Sequence, residues 1–197
     1  MLNWKENGCY PLLVDALRHD EVILAASDTV LVLFAQLSEK SKKKLDIIKH
    51  RNLKPYIVLI KSADLLHEFI DQSMSESMQQ IIDRYWPGPL TIIFKAKSNL
   101  PDWMVGVDRT IAIRIPNHEG LQKLLQQVDA LFTTSANISD QPIPESYAQI
   151  NPAILDQVKQ VCCEIDKMYD SPSSTIIDFS SGSIKIIRLG AIKIDSI

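Results

Sequence analysis

The sequence predicts an α/β fold built on a mixed sheet. Stretches with apolar residues at helical spacing alternate with short runs rich in β-branched residues, and the last two runs are joined by a Gly/Ser turn. Helical crossovers bring strands parallel and a hairpin brings them antiparallel, so one sheet must contain both. With 197 residues, 46% of them hydrophobic, the chain is long enough for one domain with a sizeable core. Residues 1–197 are therefore expected to form a single domain, with no internal repeat or long linker.

The elements follow in order. "YPLLVDALRHD" places Leu12, Leu13, Ala16 and Leu17 at helical spacing, and "EVILAAS" follows as a buried strand. Ser38 suits the N-cap of a helix carrying Lys42, Leu45, Ile48 and Lys49, after which "PYIVLI" reads as the next strand. "MSESMQQIIDRYW" is amphipathic, "PGP" ends it, and "LTIIFKA" is a strand. "TIAIRIP" predicts a strand, "NHEGLQKLLQQV" a capped helix and "ALFTT" another strand. Pro142, Pro144 and Pro152 surround a short helical stretch, and "STIIDF" and "IKIIRLG", joined by "SSGS", close the chain as a hairpin.

Several chemistries are excluded. The six glycines lie far apart, so neither GxGxxG nor a phosphate-cradling P-loop is present. His19, His50, His67 and His118 make no HxxxH or HExxH pair, and no Ser lies in a GxSxG elbow, so no protein metal site or hydrolase elbow is expected. Cys9, Cys162 and Cys163 lack zinc or disulfide spacing and read as reduced thiols. No apolar stretch reaches membrane-spanning length and "MLNWKENGCY" lacks the zones of a signal peptide, so a cytoplasmic protein is expected. The net charge of −3 argues against a globally basic nucleic-acid binder, but Lys40, Lys42, Lys43, Lys44, Lys49, Arg51 and Lys54 cluster within residues 39–54. The bland account of that cluster is a solvated helix face.

An anionic ligand here would have to be held by charged side chains, hydroxyls and helix N-termini. In "RTIAIRIP", Thr110, Ala112 and Arg114 share one strand face, which puts Thr110 and Arg114 roughly 13 Å apart at about 3.3 Å per residue. A hydroxyl and a guanidinium so placed can grip two parts of a small ligand, or the Arg can simply pair with a carboxylate. Ser174 shares a face with Ile176 and Asp178, and Arg188 with Ile184 and Ile186. Lys49 and Arg51 come where a helix runs out before Pro55, and if that segment is extended they point the same way as a two-pronged cation. "LFTTSANISD" takes an apolar run into Thr133, Thr134, Ser135 and Asn137, which suits either a strand ending in a helix cap or a binding site.

Taken in order, "SDTV", "KHR" with "KP", "YWPGPLTIIFKA", "TIAIRIPNH", "TTSAN", "SSTIID" and "IIRLGAI" resemble the YrdC-like family of threonylcarbamoyl-AMP synthases, over about residues 20–193. The resemblance implies a twisted mixed β-sheet flanked by helices, with a concave basic groove. It implies synthesis of threonylcarbamoyl-adenylate and pyrophosphate from L-threonine, bicarbonate or CO2, and ATP, with Mg²⁺ carried by the ATP. The product goes to tRNA-modification partner proteins that act on the adenosine beside the anticodon. By position, Lys49, Arg51, Lys54, Thr110, Ser135, Asn137 and Arg188 inherit ATP binding, with Lys49 and Arg51 nearest the chemistry. Thr29, Arg114, Thr133 and Ser174 inherit the threonine.

The first motif departs from the family pattern, with Leu31 and Val32 where Tyr and Gly are usual, and Leu59 stands where many members have His. The extra C-terminal domain of longer relatives is not expected. A competing account keeps the fold but not the synthesis: a paralogue that binds tRNA, other RNA or a ribosomal particle, favoured by the basic cluster and the altered motif.

Overall fold

The computed structural model describes residues 1–6, 8–51, 55–163 and 167–194. Among them, the strands are β1 (Ile23–Ala26), β2 (Leu31–Gln36), β3 (Ile57–Ile60), β4 (Leu90–Lys95), β5 (Thr110–Arg114), β6 (Ala130–Ser135), β7 (Gln160–Cys162), β8 (Thr175–Asp178) and β9 (Lys185–Arg188). They form one twisted sheet in the order β7-β1-β2-β6-β3-β5-β4-β8-β9. The pairs β1/β7, β3/β5 and β4/β8 are parallel and the rest antiparallel, as a chain with both crossovers and hairpins requires.

The α-helices are α1 (Cys9–Arg18), α2 (Glu39–Lys49), α3 (Leu66–Phe69), α4 (Glu76–Tyr85), α5 (Glu119–Val128) and α6 (Pro152–Leu155). Side chains cap four of them: Ser38 Oγ accepts from Ser41 N–H, Ser75 Oγ from Met78 N–H, His118 Nδ1 from Leu121 N–H and Asn151 Oδ1 from Ala153 N–H. Two strands and one helix lie outside the periodicity reading. β2 follows β1 with only residues 27–30 between them and no Gly or Pro at the reversal, and both its faces are buried, so no alternation marks it. β7 is three residues at the sheet edge, and α3 is a single turn continuing a 3₁₀ segment. The first helix is also rotated slightly from expectation: Leu12 is 48% exposed, and Val14 is buried in its place.

Alternation along the strands divides the core. Leu31 and Leu33 of β2, Val58 of β3, Ile111 and Ile113 of β5 and Phe132 of β6 face one side, under Leu45 and Ile48 of α2 and Met78, Ile81 and Ile82 of α4. On the other side Val32, Phe34, Leu59 and Leu131 pack with Leu13 and Leu17 of α1 and Leu121, Leu124 and Leu125 of α5. Beyond α5 that second face continues across the sheet as the wall of a cavity.

Candidate functional site

The cavity has a volume of about 420 Å³, and its floor is the sheet itself. Strand register sets Phe34, Thr133, Ile57, Ala112 and Ile93 side by side on five neighbouring strands, all lining it. Among the described residues its charged lining is Arg51, Arg114 and Arg188 against a single carboxylate, Asp28. Thr29, Ser135 and Ser174 add hydroxyls, and Thr133 Oγ1 is buried with no hydrogen-bond partner. A buried hydroxyl left unpaired in a cavity wall can donate to or accept from whatever enters the cavity.

Arg114 is 6% exposed and strongly held. Its Nε donates to Gly88 O (3.0 Å) and one terminal nitrogen to Thr29 Oγ1 (3.2 Å). The other lies 2.7 Å from Asp28 Oδ1, an ion pair by distance although the two atoms are not aligned as a hydrogen bond. Asp28 Oδ2 accepts the backbone N–H of Asn117 (2.9 Å). Burial lowers the Arg114 pKa and Asp28 opposes that shift. Arg188 is anchored beside it: its Nε and a terminal nitrogen donate to Ser174 O (3.1 and 2.8 Å), and the same nitrogen reaches Ser174 Oγ (3.3 Å). Burial and the neighbouring Arg114 charge both lower the Arg188 pKa, as expected where two guanidiniums converge.

The Lys-x-Arg and Ser-x-Asn pairs meet, but not as a two-pronged cation. His50 ends α2 in the left-handed region, with φ 48°, so the segment is not extended and the two cations diverge. Lys49 turns inward, 2% exposed, and its Nζ donates to Ser135 O (2.7 Å), Asn137 Oδ1 (2.8 Å) and Asn137 O. Ser135 Oγ donates to Asn137 Oδ1 (2.6 Å). The expected helix cap at "TTSAN" is corrected: β6 runs to Ser135, no helix follows, and Ser135 and Asn137 enclose an ammonium instead. Burial and the Arg51 charge lower the Lys49 pKa from 10.5 to about 8.

Arg51 instead lies over the Tyr56 ring, 4.9 Å from its centroid, and donates to Pro55 O (2.7 Å), while its Nε is buried without a partner. Lys49, Asn137 and Thr110 do not line the cavity. Thr110 sits at its margin, where a Cβ on Gly106 would lie 3.1 Å from Thr110 Oγ1 and 3.4 Å from Pro55. Lys54 lies outside the described residues.

Residues 15–190 match the family model of the Sua5, YciO and YrdC proteins, described as "Telomere recombination". The chain belongs to the Sua5/YciO/YrdC family. A Methanocaldococcus jannaschii relative is 34% identical over 179 residues, 90% of this chain and 83% of its own. The threonylcarbamoyl-AMP synthase of Pyrococcus abyssi is 28% identical over 186 residues, 92% of this chain and 54% of its own. The crystal structure of P. abyssi Sua5 complexed with L-threonine superposes with a TM-score of 0.84 at 26% identity, covering 94% of this chain and 55% of that one. Escherichia coli YciO, at 16% identity over 94% of this chain and 90% of its own, has a TM-score of 0.81 and shows the shared fold. The chain thus spans little more than half the length of the Pyrococcus relative.

Two residues that line the cavity escaped the sequence reading. Asp28 partners Arg114, and its signal was a carboxylate between two hydroxyls in "SDTV". Tyr56 is the platform for Arg51, and only its position after Pro55 hinted at it. The basic cluster takes the bland reading: Lys40, Lys42, Lys43 and Lys44 pair with Asp20, Asp46, Glu39 and Glu21. Among the described residues no group of three or more His, Cys, Asp or Glu side chains could hold a metal ion, and no helix is long and apolar enough to cross a membrane.

Proposed function

We propose that the cavity makes threonylcarbamoyl-adenylate and pyrophosphate from L-threonine, bicarbonate or CO2, and ATP. The observation that carries this reading is the convergence of three arginines and an unpaired threonine hydroxyl on one sheet face, in a chain without a P-loop. Relatives named threonylcarbamoyl-AMP synthase support it.

Arg51 and Arg188 meet the ATP phosphates, with Ser135 beside them. Lys49 and Asn137 act behind that wall as positioning residues, because the ammonium fixes the Ser135 and Asn137 carbonyls rather than entering the cavity. Arg114 faces the threonine carboxylate. Of its five N–H groups two are hydrogen-bonded, to Gly88 and Thr29, which leaves three for a ligand, the Asp28 contact being an ion pair without an aligned hydrogen bond. Thr29, Thr133 and Ser174 take the amine and hydroxyl. Thr110, at the margin, and Lys54 are assigned no direct role.

The threonine amine adds to CO2 and releases a proton, giving a carbamate. A carbamate oxygen then attacks the α-phosphorus of ATP, the bond to the bridging oxygen breaks, and pyrophosphate leaves with the electron pair. The residues supply placement and positive charge rather than a general base. Among the described residues the only cavity carboxylate, Asp28, is taken by Arg114, so the Mg²⁺ that accompanies ATP would have phosphate and water oxygens as its donors. The mixed anhydride formed needs partner proteins to transfer its acyl group to tRNA. Since the helix lysines are paired with carboxylates, the basic cluster does not favour the RNA-binding alternative, which is left to rest on the altered first motif.

The test is pyrophosphate release from ATP, Mg²⁺ and bicarbonate with and without L-threonine. Threonine-dependent release with a threonylcarbamoyl-adenylate mass is expected. Folded protein that binds ATP and releases nothing would overturn the reading and point to Val32 and Leu59, the departing positions that line the cavity.

A further inference from the structure

The first residues of the chain are fastened onto the fold although the family match begins only at residue 15. Leu2 N–H donates to Val161 O (2.7 Å) and Leu2 bridges Cys162 in parallel register. Trp4 is the centre of this attachment. Its indole N–H donates to Ala26 O (3.2 Å), its carbonyl accepts from Tyr10 Oη (3.1 Å), and its ring lies edge-on to His118 with centroids 5.5 Å apart. The ring also takes the space a side chain would need at Gly120, where a Cβ would fall 2.6–2.7 Å from three ring atoms.

These partners flank the acid loop from two sides. Ala26 ends β1 immediately before Ser27, Asp28 and Thr29. His118 caps α5 and follows Asn117, whose N–H holds Asp28 Oδ2 at 2.9 Å. The other Asp28 oxygen meets Arg114 at 2.7 Å. Trp4 therefore touches both supports on which Asp28 stands. It also walls a second cavity, about 660 Å³, which shares Ser27, Asp28 and Thr29 with the first.

The geometry points to Trp4 as a positioning residue for the threonine half of the site. Its indole fixes the end of β1 against the start of α5, and so sets where Asp28 holds Arg114. Removing the ring joins its volume to the adjoining cavity and leaves the loop without that wall. The kinetic consequence rests on the synthase reading; the structural one does not.

The experiment compares the full chain with Trp4→Ala, Trp4→Phe and Gly120→Ala, the last displacing the ring without altering Trp4. Thermal melts establish that each is folded, and if Trp4→Ala is not, the other two carry the test. Amide hydrogen exchange is followed without ligand in peptides spanning residues 26–31 and 114–121, and KM is measured for L-threonine and for ATP. Trp4→Ala and Gly120→Ala should speed exchange in both peptides and raise the threonine KM roughly tenfold while leaving the ATP KM within about twofold. Trp4→Phe, which keeps a ring and loses the N–H, should fall between them and wild type. Exchange equal to wild type overturns the brace. Faster exchange with both KM values rising together makes Trp4 a general structural residue and overturns its positioning role. If wild type releases no pyrophosphate, the synthase reading fails while the exchange comparison still decides the brace.

Discussion

The left-handed turn at His50 sends Lys49 inward to three oxygens and Arg51 outward over Tyr56, so truncating the two residues should fail in different ways. Lys49→Met takes the ammonium away from Ser135 O and Asn137 O, while Asn137 Oδ1 keeps Ser135 Oγ as its donor, and each buried group left unsatisfied costs about 1–3 kcal/mol. That variant is expected to melt well below wild type. Arg51→Ala should keep the wild-type melting temperature but lose about a hundredfold in product formation, since two charge-assisted hydrogen bonds contribute roughly 3 kcal/mol and 1.4 kcal/mol is a factor of ten. A folded Arg51→Ala protein working at the wild-type rate would remove Arg51 from the site. Proton linkage gives Lys49 a second signature. Its pKa falls from 10.5 to about 8 on folding, so between those values the unfolded chain holds a proton that the folded chain has released. Stability from this group therefore rises with pH across that window. Denaturant midpoints measured at pH 7.5 and pH 10 should show wild type gaining relative to Lys49→Met as the pH rises; parallel changes in both proteins would contradict the assigned shift.

At the scale of elements, the strands that carry the site were readable except for β2, whose Val32 and Phe34 also line the cavity. Alternation in "TIAIRIP" put Arg114 on the face of Ala112, and both line the cavity, just as Ser174 and Ile176 do at β8. What periodicity did not reveal was β2, buried on both faces, and the turn at His50, whose left-handed backbone no residue pattern announced. The Lys49 enclosure joins residues 86 and 88 positions apart, a tertiary contact that local spacing does not encode. The hairpin end after β9 illustrates how an element holds a side chain in place. A Cβ at Gly190 would fall 2.1 Å from Ser173 O and 2.6 Å from the Ser174 carbonyl carbon, backbone atoms that have little room to yield. Gly190 N–H also donates to Thr175 Oγ1 (3.0 Å), two residues after Arg188 has clamped Ser174 O. Gly190→Ala is thus expected to cost about 1–3 kcal/mol and to raise the KM of both substrates by loosening Arg188 and Ser174 together. Denaturation curves and initial rates check this, and a variant unchanged in both would show that the hairpin end accommodates the methyl group.

Across the whole molecule, the cavity draws its walls from β2, β3, β4, β5, β6, β8 and β9, so a ligand in it ties together strands from nearly the full width of the sheet. Unfolding must break those ties, and ligand binding should raise the melting temperature of the entire transition rather than of one segment. At a hundred times its Kd a ligand adds about 2.7 kcal/mol, which for a chain of this length corresponds to roughly 5–10 °C. ATP and L-threonine should each give such a shift. Their responses to salt should differ, because ATP brings several negative charges to Arg51 and Arg188, whereas threonine brings one carboxylate to an arginine already neutralised by Asp28. Raising the ionic strength from low to physiological values should therefore shrink the ATP shift more than the threonine shift. Arg188→Ala should reduce the ATP shift and flatten its salt dependence. Thermal melts over a series of salt concentrations measure both effects, and a salt response equal for the two ligands would contradict the assignment of the phosphates to Arg51 and Arg188.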